Sequence, residues 1–165
     1  MIRQERLKEL LHYCPETGAF TRLIKTSNRI KIGSVAGYAR PGCRLVISVD
    51  GKLYHAHRLA WFWMTGEWPK DQINHINGVR DDNRWDNLRE ATRSQNQQNR
   101  KVNSNNKSGY MGVSWQRRAG KWVAHIKIAG CNRYLGLFTT PEDAHAAYLA
   151  AKAEHHQFQP TVRTT

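Results

Sequence analysis

Leu7, Leu10 and Leu11 share one helical face near the start of the chain, and Pro15 is the expected stop for that opening helix. Pro15-Glu16-Thr17-Gly18 then reads as a turn. From Arg44 to Val49, Leu45, Ile47 and Val49 alternate with polar residues, and an extended pattern resumes from Lys52 to Ala56. The Asp50-Gly51 pair between these runs predicts a tight hairpin, because both turn positions need positive φ. His57 to Met64 is apolar and aromatic enough for a buried helix, closed by Gly66 and Pro69. From Gln72 to Arg100 the character changes: Asn, Asp and Arg become dense and apolar residues few. Lys101 to Ser108 (KVNSNNKS) is polar and aperiodic, the signature of a linker.

A second pattern follows. Gly112 to Arg117, Trp122 to Ile128 and Arg133 to Leu137 predict three strands, with turns at Ala119-Gly120 and Ala129-Gly130. In the middle one, Trp122, Ala124, Ile126 and Ile128 take one face while His125 and Lys127 take the other, so the sheet should be half-buried with one basic surface. Trp115 and Trp122 are expected in its core. Thr140-Pro141-Glu142-Asp143 is a helix start: a hydroxyl N-cap, Pro in the first turn, then acids at the positive end of the dipole. Ala144, Ala147, Tyr148 and Ala151 give that helix a face to cover the sheet, and the tail after Phe158 looks loose.

Charge narrows the partners. The 165 residues hold 26 Lys+Arg against 13 Asp+Glu, a formal charge of +13. Such a chain favours a polyanion, since each neutralised phosphate releases condensed counterions. No basic amphipathic helix or long apolar run is present, which disfavours a membrane partner. The polar opening Met1 to Arg6 shows no secretory signal, and the expected location is cytoplasmic. Cys14, Cys43 and Cys131 are odd in number and widely spaced, so neither a disulfide framework nor a structural zinc site is expected.

The candidate chemistry lies between Ile73 and Asn96. Phosphodiester hydrolysis needs a base for water, charge to offset the phosphate and leaving oxygen, and groups that hold both. His75 suits the base because its pKa lies near neutrality. Asn and Asp oxygens suit magnesium or manganese. Thr92-Arg93-Ser94-Gln95 resembles a capping box, which puts Asn96 in the first turn of a helix. Each piece also has a plainer reading. Asn77-Gly78 and Asp81-Asp82-Asn83 are ordinary turn formers, although Asp82 and Asn83 could also support the centre from behind. His55 and His57 alternate, but without cysteine partners His57 reads as docking its helix. Arg80, Arg84, Arg89, Arg93 and Arg100 are phosphate clamps or a solvated basic face.

Taken jointly, HRLAW at His57 to Trp61, INHINGVRDDNRWDNLREAT, and SQNQQNR resemble the HNH (ββα-metal) nucleases, particularly homing-type and phage-encoded members, over about Tyr54 to Arg100. That resemblance implies His75 as general base on the first strand and a central Asn, Asn87, that steadies the loop and orients the histidine. It implies metal ligands at positions 74 and 96, a divalent cation (magnesium, with manganese the alternative), and 5′-phosphate and 3′-hydroxyl ends on double-stranded DNA. Asn74 stands where the family has Asp, and Asn96 is the ligand on the helix. An amide forfeits the Coulombic attraction of a carboxylate, so weakened metal binding and reduced cleavage are expected. The alternative is a non-catalytic DNA-binding protein with a degenerate centre.

Beyond the linker, Tyr110 to Trp115, Gly120 to Ile126, Tyr134 to Ala144 and Ala147-Tyr148 resemble the ethylene-responsive-factor (APETALA-type) DNA-binding domain. The resemblance implies a sheet laid in the major groove, its DNA face holding Ser114, Gln116, Arg118, His125, Lys127, Asn132 and Tyr134, with Arg117, Lys121 and Arg133 as flanking phosphate contacts. The expected architecture is α+β: a nuclease module over 1–100 (core 54–100), a linker 101–107, a DNA-binding module 108–158 and a tail 159–165. A monomer or a homodimer fits these features equally.

Overall fold

The computed structural model describes residues 2–39, 44–98, 102–103, 105–156 and 158. The chain is mixed α+β, and its contacts divide it between Arg93 and Ser94, within the segment that resembles the nucleases.

In the first unit, α1 (Gln4–Leu10) buries Leu7 and Leu10. It ends earlier than Pro15 suggested. Leu11 and Tyr13 bury alternate positions instead, and β1 (Leu11–Tyr13) pairs antiparallel with β2 (Phe20–Arg22) around the Pro15–Gly18 turn. The hairpin's cross-strand bonds thus override continuation of a helical leucine face. β3 (Val46–Val49) and β4 (Lys52–His55) pair across Asp50-Gly51, whose φ angles of 46° and 76° are the left-handed pair the turn requires. α2 (Ala56–Thr65) follows directly and ends at Gly66. Its last turn is tied to α1 by the Gln4 amide, which donates to the carbonyls of Phe62 (3.2 Å), shared with the Gly66 N–H, and of Trp63 (2.8 Å).

Leu7, Leu10, Tyr13, Phe20, Ile47, Leu59 and Phe62 form the core of this unit, with Ile73 and Leu88 joining it from β5 (Gln72–His75) and β6 (Leu88–Ala91). Those two strands make an antiparallel ribbon in which His75 opposes Leu88 and Asn74 opposes Arg89. Ile73 on β5 and Leu88 on β6 anchor the ribbon in this core, with Ala91 also buried on β6. A 3₁₀ turn, Trp85–Asn87, leads into β6. The next helix, α3 (Arg93–Gln98), begins right after Thr92, as the capping-box pattern predicts, at the last residue of this unit.

In the second unit, β7 (Val113–Gln116), β8 (Lys121–Ile128) and β9 (Cys131–Phe138) form an antiparallel sheet in that order, packed on α4 (Pro141–His155). Thr140 caps α4 by accepting from the Asp143 amide at 3.2 Å, with Pro141 in the first turn. Val113, Ala124 and Ala144 meet at the sheet–helix contact, with Trp122, Leu135 and Phe138 around them. Trp115 departs from expectation. It opposes Trp122 at the end of the sheet and is 50% exposed, its ring meeting the Trp122 ring edge-on at 5.1 Å. Lys152 lies on the buried face of α4, which the alanine spacing did not foretell. Its ammonium donates to the carbonyl of Gln98 at 2.7 Å, a partner that makes burial of the charged end tolerable.

Candidate active site

The β5–β6 ribbon presents His75 and Asn74 at the last two positions of its first strand. Both are buried, with exposures of 4% and 5%. The loop that returns from His75 to Leu88 has few apolar residues to pack, so its own polar groups hold it. Asn87 is the hub: its amide oxygen accepts from the Asn77 backbone N–H at 2.9 Å, and its amide nitrogen donates to the Asp82 carbonyl at 2.7 Å. Asn77 in turn donates to the Asp82 carboxylate at 2.7 Å and accepts from the Val79 N–H at 2.8 Å. Arg84 grips the same carboxylate through two nitrogens, at 2.8 and 2.7 Å. With these donors around it, led by Arg84, the Asp82 carboxyl is held down to about 2.

The side chain that meets His75 is Asn83, whose amide oxygen lies 3.1 Å from the imidazole Nε2. Asn83 is 2% exposed, and its amide nitrogen donates to the Asp81 carbonyl at 3.3 Å, which fixes which end of the amide faces the ring. A carbonyl oxygen only accepts, so Nε2 carries the hydrogen and Nδ1 is the proton-accepting nitrogen. The sequence leaves Asp82 and Asn83 as turn formers or as supports of the centre; the structure gives Asn83 the contact with the histidine and Asp82 the loop bonds.

Burial is the main influence on His75 and lowers its pKa below the usual imidazole value; the Asn83 bond opposes this and the nearby Arg44 charge adds to it. The His57 ring abuts His75 edge-on at 5.3 Å and stacks on His55 at 5.4 Å. His57 is 2% exposed, its Nδ1 has no hydrogen-bond partner among the described residues, and burial followed by the Arg44 charge pushes its pKa down to about 2. Arg44 was not picked out from the sequence. It is half-buried, bears on all three imidazoles, and feels the like charge of Arg80; at His75 its charge is opposed by those of Asp82 and Asp81.

The donor set does not suit a divalent cation as it stands. Asn74 offers one neutral oxygen, and that oxygen accepts from Arg89 Nε at 3.0 Å, so a guanidinium already occupies the place where a second cation would have to bring its charge. Among the described residues no group of three or more His, Cys, Asp or Glu is arranged to hold a metal ion. Asn96 is half-buried on α3, in the other unit. Of the arginines read as clamps, Arg84 is engaged by Asp82 and Arg89 by Asn74, Arg80 and Arg93 are exposed, and Arg100 lies outside the described residues.

In the second unit, the register puts Ser114, Gln116, Lys121, His125, Lys127, Asn132 and Tyr134 on the face away from α4. A bulge between Ala124 and His125 shifts the β8–β9 pairing, so that Tyr134 opposes His125, with ring centroids 5.7 Å apart, instead of Ile126. Arg117 and Arg118 sit in the β7–β8 turn, and Arg133 opposes buried Ile126, so it projects from the other face.

Comparison with known proteins agrees with this geometry in part. Residues 54–98 match a family described as HNH endonuclease, a span that runs from β4 through α3 and supports a nuclease acting on DNA. The match ends before the three-stranded sheet. No curated protein and no solved structure matches the chain.

Proposed function

We propose that this protein is a double-stranded DNA endonuclease of HNH type, of phage or mobile-element character, whose cleavage is restrained by Asn74. The observation that carries the reading is His75: a buried imidazole inside the matched span, held through Nε2 by Asn83 so that Nδ1 receives a proton. In the reaction, His75 takes a proton from water, the water oxygen bonds to phosphorus, and the bond to the 3′ oxygen breaks. Arg44 and Arg80 bring charge to the phosphodiester beside it. HNH nucleases usually use a divalent metal, magnesium or manganese here; the amide at position 74, turned to Arg89, weakens this chain's hold on one. The sheet face around His125, Lys127 and Tyr134 supports groove binding, with Arg117, Arg118 and Lys121 on phosphates and Arg133 turned away from that face.

A second reading is favoured by the Asn74–Arg89 bond itself: a DNA-binding protein with a degenerate centre. Supercoiled plasmid incubated with the native chain and with Asn74→Asp separates the two. Under the first reading Asn74→Asp nicks at least tenfold faster in magnesium or manganese, and nicking disappears with chelator or with His75→Ala. Equal nicking by both chains removes the role given to Asn74. A gel shift without nicking by either supports the binder.

A further inference from the structure

The β1–β2 hairpin lies outside the matched span, yet its turn touches the loop that carries Asn83 at three points. The Tyr13 hydroxyl donates to the Asn83 carbonyl at 2.6 Å, from a fully buried ring packed between Phe20 (4.9 Å) and Trp63 (5.8 Å). The Trp85 N–H donates to the Pro15 carbonyl at 2.9 Å. Gly18, at φ 72°, lies flat against the loop: a Cβ there would run into the backbone carbon of Asn83 and come within 2.5 Å of the Arg84 nitrogen. Those obstacles are main chain, so they cannot swing aside as the end of a side chain would. The turn is itself closed by two backbone bonds, Gly18 N–H to Cys14 O at 2.8 Å and Cys14 N–H to Ala19 O at 2.9 Å.

Asn83 belongs to no helix or strand, so no ladder fixes its backbone. Its side chain meets His75 only while that backbone keeps its place. We propose that the Tyr13–Gly18 turn is a positioning element of the nuclease centre: it pins the Asn83 backbone, and Asn83 thereby holds His75 as the Nε2-protonated tautomer. Tyr13 and Gly18 are positioning residues that never touch the reacting atoms. The proposal rests on the reading of His75 as the general base. It adds that a hairpin some 70 residues earlier in the chain decides which imidazole nitrogen can accept a proton.

The test uses the full chain and two independent readouts. The first is the ¹⁵N chemical shifts of the His75 ring in the native chain, Tyr13→Phe, Asn83→Ala and Asn83→Asp. The second is steady-state nicking of plasmid by the same substitutions in the Asn74→Asp background. Tyr13→Phe and Asn83→Ala are expected to turn a single Nε2–H tautomer into a mixture and to lower kcat about tenfold with KM unchanged. Asn83→Asp, which still offers an acceptor to Nε2–H, should keep the single tautomer. Gly18→Ala should act in the same direction as Tyr13→Phe; Tyr13→Phe decides the matter if the glycine variant does not fold. An unchanged His75 tautomer in Tyr13→Phe overturns the proposal, as does a raised KM at constant kcat. If no variant nicks in either metal, the endonuclease reading fails, while the ring shifts alone still decide whether the turn sets the tautomer.

Discussion

His57 shows how one buried side chain can set the acid behaviour of the fold. Its imidazole ordinarily protonates near 6.5, and here burial holds it neutral down to about 2. The unfolded chain therefore binds a proton below pH 6.5 that the folded chain refuses. The His57 contribution is fully present above pH 6.5 and is lost as pH falls from there toward about 2, at up to about 1.4 kcal/mol per pH unit. Asp82 acts in the same sense over a lower range, below its ordinary 3.8 and toward about 2. His57→Phe keeps a ring against His55 and His75 and removes the titration, so its urea midpoint should decline less steeply than the native one between pH 7 and 4. Parallel declines for the two proteins would rule His57 out as the acid-labile group.

At the scale of elements, the return loop of the ribbon and the start of α4 are held by specific polar contacts that can be removed singly. Asn87→Ala deletes the bonds to the Asn77 N–H and the Asp82 carbonyl. Leaving two partly buried backbone groups unsatisfied should cost about 2–4 kcal/mol and speed hydrogen exchange at the Asn77 amide. A loss under about 0.5 kcal/mol would mean that the loop is held elsewhere. Thr140→Ala removes the α4 cap and should destabilise the second unit by about 1 kcal/mol in thermal melts, with the first unit's transition unmoved. These elements were legible to different degrees. The Asp50-Gly51 hairpin, α2 and the α4 start follow from local chemistry, since φ preference and capping are written in neighbouring residues. The end of α1 was misread because Leu11 satisfies a helical face and a strand equally, and only pairing with Arg22 settles which.

For the whole molecule, charge is the dominant variable. A chain at +13 that binds duplex DNA through surface Lys and Arg should lose affinity steeply with salt, at a log–log slope of about −0.9 per phosphate contact. Lys121→Ala and Arg117→Ala should each reduce that slope by about 0.9, whereas Tyr134→Ala should weaken binding without altering it. Anisotropy titrations over a salt series would show this, and a slope near zero would remove the basic surface from the account.

The sequence by itself determined the α+β class, the Asp50-Gly51 hairpin, the bounds of α2 and the start of α4, the two faces of the C-terminal sheet and the candidate general base. Each of these is a matter of periodicity, turn chemistry or a short motif carried by residues close along the chain. Tertiary structure alone decided that Asn83 faces His75, that Arg89 takes the Asn74 oxygen, and that Arg44 brings its charge to the histidines. It also decided that Lys152 is buried and Trp115 exposed. Those outcomes depend on which residues distant in the chain arrive together, and no pattern of neighbours encodes the angle at which a loop closes over a strand.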